Sequence, residues 1–257
     1  MRLAIVADIH ANAYALSTVL EDIVSRGLGD HVYHLGDLVG YAPYPDETVD
    51  LIRSFKVQGI AGNYDSTVAT TYDHCGCQYE DPEQARLSHE SYQWTLRHTR
   101  DSTKRQLSAL PFRMDLRPGG GHKAGPTVIL VHGTPTLNTV YWHKQRPDRF
   151  CMKMAAVAGA RPGDLIAFGH THLPWYREID GVHYLNAGSV GRPKDGDWRA
   201  GYAIVDMAGD RPEIEFVRCE YDVDAVCDGI RKSTLPDFFA EYLQAGGKPA
   251  SPDEAMA

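Results

Sequence analysis

The residues of this 257-residue chain with the most chemistry to offer fall in five short clusters. They are Asp8 and His10 in DIH, Asp37 in GDLVG (36–40), Asn63 in GNYD (62–65), His132 in HG (132–133), and His170 and His172 in GHTH (169–172). All are oxygen or nitrogen donors of the kind that ligate borderline first-row divalent ions, with no thiolate in the set. Singly each cluster is weak. An Asn after Gly is most often a turn, and a histidine at a strand end is most often a packing residue. Together they make seven donors, too many for one tetrahedral zinc and suited to two ions sharing a carboxylate. Two such ions about 3.5–4 Å apart lower the pKa of a bridging water and clamp a phosphoryl group for in-line attack.

Such a set works only if the fold delivers all five clusters to one edge. LAIVA (3–7) is a continuous apolar run, expected as a strand buried on both faces. Residues 13–26 carry apolar side chains at helical spacing, 31–36 read as a strand, 45–55 as a helix and 57–61 as a strand. This β-α-β-α-β rhythm belongs to an α/β layer architecture. It breaks over 67–110, where two helical stretches near 82–98 and 101–109 read as a helical cap insertion. Strands follow at 127–133, 164–170, 182–188, 201–206 and 214–221, with helices near 148–158, 223–231 and 236–244. RPGGGHKAGP (117–126) reads as a turn or hairpin tip, and 246–257 as a disordered tail. The expected body is therefore 1–66 with 111–245, and the cap 67–110. Every donor cluster then follows a strand end, the edge where α/β sheets bind ligands. Residues two apart on a departing strand, as in DIH and HTH, address the same side.

The five motifs, in this order and spacing over about residues 1–206, resemble those of the calcineurin-like metallophosphoesterase superfamily, in its small bacterial phosphodiesterase-type branch. The resemblance implies a four-layer α/β/β/α sandwich and a binuclear centre. Asp8, His10 and His172 would hold one divalent ion, Asn63, His132 and His170 the other, and Asp37 would bridge them. Manganese is the first choice of metal, with iron, zinc, cobalt or nickel as alternatives. The implied activity is hydrolysis of a phosphoester by a metal-bridging hydroxide. NAGSVGRPKDGD (186–197) looks like the stretch that closes the site in such proteins.

The chain departs from the superfamily at Tyr64, where a histidine usually follows the Asn. A phenol near pKa 10 keeps its proton at neutral pH and donates a hydrogen bond but no charge, unlike an imidazole near 6.5. That penalises dianionic monoesters more than monoanionic diesters, so small nucleotide-type phosphodiesters are the expected substrates. A phosphomonoesterase is the alternative, and a non-catalytic scaffold of the same fold a lesser one. Asp65 is placed to orient a ligand from behind. Tyr141, Trp142 and His143 are candidates to stack on a base, or to pack the loop, while Arg192 and Lys194 are candidates to meet phosphate oxygens. Ser189 has no evident base beside it, and His34 is expected to be a core histidine with a hydrogen-bonding partner. The remaining histidines outside the motifs, His31, His74, His89, His98, His122 and His183, are taken as ordinary.

Composition bounds the partners. A net charge of −8 disfavours a polymeric nucleic acid or an anionic membrane surface. No apolar run approaches a membrane span and no signal peptide is evident, so a cytoplasmic protein is expected. Five cysteines without a framework spacing suit that compartment as thiols, and the Cys75-Gly-Cys77 pair carries no assigned role. Self-association into a homo-oligomer stays open.

Overall fold

The computed structural model describes residues 1–77, 81–117, 125–209 and 211–247. Most of the 117–126 turn, including His122, and residues 248–257 of the tail lie outside the described residues. The first half runs β1 (Arg2–Val6), α1 (Ala13–Ser25), β2 (Val32–His34), α2 (Pro45–Ser54), β3 (Gln58–Gly59) and α3 (Asn63–Ala69). Helices α4 (Pro82–His98) and α5 (Asp101–Ser108) follow, then β4 (Met114–Leu116), β5 (Val128–Leu130), α6 (Asp148–Ala158) and β6 (Leu165–Phe168). The chain continues through β7 (Trp175–Ile179), β8 (Val182–Asn186), β9 (Ala200–Asp206) and β10 (Glu213–Cys219) to α7 (Val223–Lys232) and α8 (Phe238–Gln244).

The helices begin where local chemistry starts them. Asn12 accepts from Ala15 N–H to cap α1, and Pro45 opens α2 with Asp46 and Glu47 in its first turn and Arg53 in its last. The strands form two five-stranded sheets, ordered β10-β9-β1-β2-β3 and β4-β5-β6-β8-β7. Within them β1, β2 and β3 are parallel neighbours, as are β5, β6 and β8, whereas β9 runs antiparallel between β10 and β1.

Alternation along β1 sorts the layers. Leu3 and Ile5 meet Val128, Leu130, Leu165 and Ala167 in a core between the sheets. Ala4 and Val6 face the other way, onto Leu16, Val19, Leu20 and Ile23 of α1. On the far sheet Ile129, Ile166 and Phe168 pack outward with Cys151, Met154 and Ala155 of α6. Two sheets back to back with helices on each outer face make the four-layer α/β/β/α sandwich that the motifs implied. Helix α4 adds Leu87, Tyr92 and Trp94, and α5 adds Leu107, to the outer core of the first sheet.

Two expectations change, and the GNYD stretch, already read as more than a turn, gains a conformation. Strands β4 and β7 were not foreseen. Both are outermost in the second sheet, where Asp115, Arg177 and Glu178 can face solvent and interrupt the apolar pattern. The GNYD stretch is not a simple turn: Gly62 caps α3 and Asn63 is its first residue, with the Asp65 carboxylate accepting from Gly62 N–H. His34 is buried, but neither ring nitrogen has a hydrogen-bond partner. Its ring lies against Gly59, where any side chain would fall on it, so packing rather than hydrogen bonding holds it.

Candidate metal centre

The parallel strands deliver the donors. β1 ends two residues before Asp8, β2 three before Asp37, β5 two before His132, and β6 two before His170, while β3 leads into the start of α3 at Asn63. The chain then turns hard. Asp8, His10, Asp37, His170 and His172 all have left-handed φ, between 50° and 65°. L-residues adopt this region at a cost, and such strain gathers where side chains must be aimed. Backbone bonds lock the turns together, with Asp37 O accepting from both Ile9 N–H and His10 N–H at 2.9 Å. At Gly62 a Cβ would fall on the Asp37 carboxylate, so the approach of these two loops requires glycine.

The side chains converge in two groups, Asp8 with His10 and His172, and Asp37 with His132 and His170, each with donor atoms within 4.8 Å of one another. Asp37 Oδ2 stands between the groups, 3.7 Å from His10 Nε2 and 3.4 Å from His132 Nε2. Asn63 Oδ1 lies 3.1 Å from His132 Nε2, which places it with the second group. All seven residues are at most 4% exposed.

The rings are oriented from behind. Nδ1 of His10 donates to Val39 O (3.1 Å), Nδ1 of His132 to Leu35 O (2.7 Å) and Nδ1 of His172 to Arg192 O (2.6 Å). Carbonyls only accept, so Nδ1 carries a proton in all three rings, and His10 and His172, where neutral, turn a bare Nε2 to the interior. Burial depresses His10 and His170 to about 3 and drives His172 well down, so these rings are neutral. His10 Nε2 and His172 Nε2 then face each other at 3.2 Å with two lone pairs and no proton between them. Asp8 Oδ1 and His170 Nε2 are likewise buried without a hydrogen-bond partner. Burial and then the neighbouring Asp37 push Asp8 up to about 7. Burial also opposes charge on His132, but the Asp37 carboxylate overrides it and lifts the ring to about 9. Facing lone pairs, orphaned acceptors and two crowded carboxylates are what divalent cations relieve, so the donor set fits two such ions.

Other side chains support this core. Asp37 Oδ1 accepts from Tyr64 N–H, and Asp8 Oδ2 from His170 N–H, both at 2.9 Å. Asp65 accepts from Leu38 N–H and Gly62 N–H at 2.8 and 2.9 Å, tying the Asp37 and Asn63 loops together. Asn63 Nδ2 donates to Cys75 O (3.0 Å) and Cys77 Sγ (3.2 Å), which turns its Oδ1 inward. Ser189 Oγ donates to Asp8 O and accepts from Arg192 N–H, a bracing role rather than a nucleophilic one.

A half-open cavity lies over the donors, lined by His10, Asp37, Tyr41, Tyr64, Cys77, Tyr141, His170, His172 and Lys194. Tyr64 is buried against Gly40 and makes edge contacts with His10 and Tyr92, so it both packs and faces the cavity. Tyr141 stacks on His170 with ring centroids 4.3 Å apart, and His143 stacks on Tyr141. Trp142 corrects the expectation of base stacking. It is fully buried in the α6 core and stacks flat on Phe168 at 4.4 Å, because alternate side chains in this extended segment point to opposite sides. Lys194 is held down to about 8 by burial and by the nearby Arg192. Arg192 itself lies over the rings of Tyr41 (4.0 Å) and Tyr242 (4.4 Å), in a neighbouring cleft lined also by His10, Phe239 and Leu243. Tyr41 and Cys77 are the cavity residues that the motifs did not flag. Tyr41 directly follows GDLVG, and Cys77 reaches the site only through the fold of the 70–77 segment.

The comparisons agree with this geometry. The model of the calcineurin-like phosphoesterase superfamily domain matches residues 1–210. An uncharacterized protein of Methanocaldococcus jannaschii is 31% identical over 95% of this chain and 98% of its own. Among solved structures, a metallophosphoesterase from Sphaerobacter thermophilus is 30% identical, with a TM-score of 0.72, covering 96% of this chain and all of that one. A hypothetical protein of Pyrococcus horikoshii shares the fold at 22% identity, with a TM-score of 0.79 over 96% and 99% of the two chains. A fold, a donor set and a family model thus coincide over the same residues, and the chain belongs to the calcineurin-like phosphoesterase superfamily.

Proposed function

We propose that this phosphoesterase hydrolyses phosphodiesters of small, nucleotide-type molecules at two divalent ions, with manganese the first choice. The single observation that carries the reading is the donor pair His10 and His172, whose bare Nε2 atoms face each other in a buried site. Asp8, His10 and His172 would hold one ion, Asn63, His132 and His170 the other, with Asp37 Oδ2 between them. Bound there, such ions polarise a phosphoryl group and acidify water for in-line attack. The chain's own residues supply the rest. The carbonyls of Val39, Leu35 and Arg192 fix the imidazoles, Asp65 braces the loops, and Tyr64 offers a neutral hydrogen-bond donor to a phosphoryl oxygen. Tyr141 presents a ring to a base, and Lys194 a cation to phosphate. The cavity over the donors, with Cys77 of the 67–110 segment in its wall, restricts the size of the ester that reaches them.

A second reading, phosphomonoesterase, is favoured by one observation: Lys194 brings positive charge into the cavity that a dianion would use. A paired assay decides. Manganese-reconstituted protein should hydrolyse bis-(p-nitrophenyl) phosphate in preference to p-nitrophenyl phosphate. The reverse preference would install the second reading, and no turnover of either ester with two ions bound would sink both.

A further inference from the structure

All five cysteines are thiols, and two of them sit where the metal centre can feel them. Cys77 is half-buried and lines the cavity, among the donors and Tyr141. Cys75 is buried behind it. The turn through Gly76, with φ of 77°, folds the pair together, so that Cys77 N–H donates to Cys75 Sγ at 3.4 Å. Residues two apart on such a turn come within the Cα separation of about 4.4–6.8 Å that a disulfide needs. Both cysteines also hold Asn63: its Nδ2 donates to Cys75 O and to Cys77 Sγ, and its Oδ1 is turned toward His132.

From these contacts we infer that Cys77 is a peroxide-oxidation site, resolved by Cys75, whose conversion to a disulfide unseats Asn63 and loosens the second metal-binding group. The proposal rests on the two-metal reading above. Exposure sets the order of events. Hydrogen peroxide entering the cavity meets Cys77 first. The Cys77 sulfur takes the distal peroxide oxygen, the O–O bond breaks, and a sulfenic acid and one water result. The Cys75 sulfur then attacks the Cys77 sulfur and expels the second water, so two thiols and one peroxide become one disulfide and two waters. A bridge across a single glycine is strained, and strained disulfides are the reducible, regulatory kind. Once bonded to Cys75, the Cys77 sulfur moves off the Asn63 amide. Asn63 keeps only the Cys75 carbonyl and its Oδ1 loses its aim. Residues that orient a ligand in this way change metal affinity by about 10–100-fold when lost.

The test uses full-length protein loaded with zinc, which is itself redox-inert, and treated with hydrogen peroxide. Peptide mapping after thiol alkylation is expected to show the tryptic fragment 57–86 without either alkyl group and two mass units lighter than its unalkylated dithiol form. Release of one zinc equivalent to a chelator is expected to speed up at least tenfold, and dithiothreitol to reverse both changes. Cys75→Ala should instead trap a sulfenic acid on Cys77 that dimedone labels, and Cys77→Ser should show neither the disulfide nor the accelerated release. A melting temperature on each variant separates a folding defect from a lost thiol. The mass change reads the thiol pair whether or not the protein holds metal, and the zinc content of the reduced protein reads the centre whether or not the thiols react. Unmodified thiols after peroxide, or a complete disulfide with zinc release within twofold of the reduced protein, would overturn the inference. Reduced protein that holds no zinc would overturn the two-metal reading, and with it the coupling.

Discussion

At the scale of single residues, Tyr64 and His34 show how environment decides what a side chain does. Tyr64 lines the cavity, so its neutral phenol should favour diesters over dianionic monoesters. Tyr64→His is expected to raise the monoesterase-to-diesterase ratio several-fold, read as kcat/KM on paired aryl esters. An unchanged ratio would mean that Tyr64 only packs. His34 is the reverse case, a titratable ring buried without a partner, and burial lowers it to about 4. The sign follows from proton counting. Between pH 6.5 and 4 the unfolded chain binds a proton at His34 that the folded chain refuses, so stability is full above 6.5 and drains away as pH falls. At pH 5 the loss attributable to His34 is about 2 kcal/mol. Urea unfolding at pH 7 and pH 5 should therefore show His34→Leu losing about 2 kcal/mol less than the parent chain. Equal losses would show that the ring is not held neutral.

At the scale of elements, what matters is how strand ends and loops approach one another. The junction of β2 and β3 with α3 closes at Gly62, where an added methyl would fall on the Asp37 carboxylate. Gly62→Ala is expected to cost about 1–3 kcal/mol in thermal or urea unfolding and to lower metal content in parallel. Normal metal content in the alanine variant would mean that the Asp37 loop adapts. The same elements show what could be read from the chain alone. β1, α1 and α2 announced themselves through apolar periodicity, because each buries a continuous face. β4 and β7 did not, since an outermost strand shares its surface with solvent and carries charge. The seven donors were legible as motifs, because aiming them demands particular residues at particular strand ends. Tyr41 and Cys77 were not, since they reach the cavity through loop paths that leave no period in the sequence. Trp142 was legible as an aromatic near the site, but not which way its ring would point.

At the scale of the whole molecule, two sheets packed back to back bring five strand ends into one buried place, and the folded state alone assembles the donor set. Metal and fold must then be linked. Free metal at 100-fold above its dissociation constant adds about 2.7 kcal/mol to stability. For a chain of this size that corresponds to a rise in Tm of about 5–10 °C, which a chelator should reverse. A Tm indifferent to both manganese and chelator would show that the site is not assembled by folding as described.

The left-handed backbone at Asp8, His10, Asp37, His170 and His172 carries a further implication, for redesign rather than for chemistry. Each of these residues stands where glycine would be more comfortable, by about 1 kcal/mol. The donors are aimed at the expense of the backbone that carries them, and a search for stability alone would be drawn to the positions that gather the donor set.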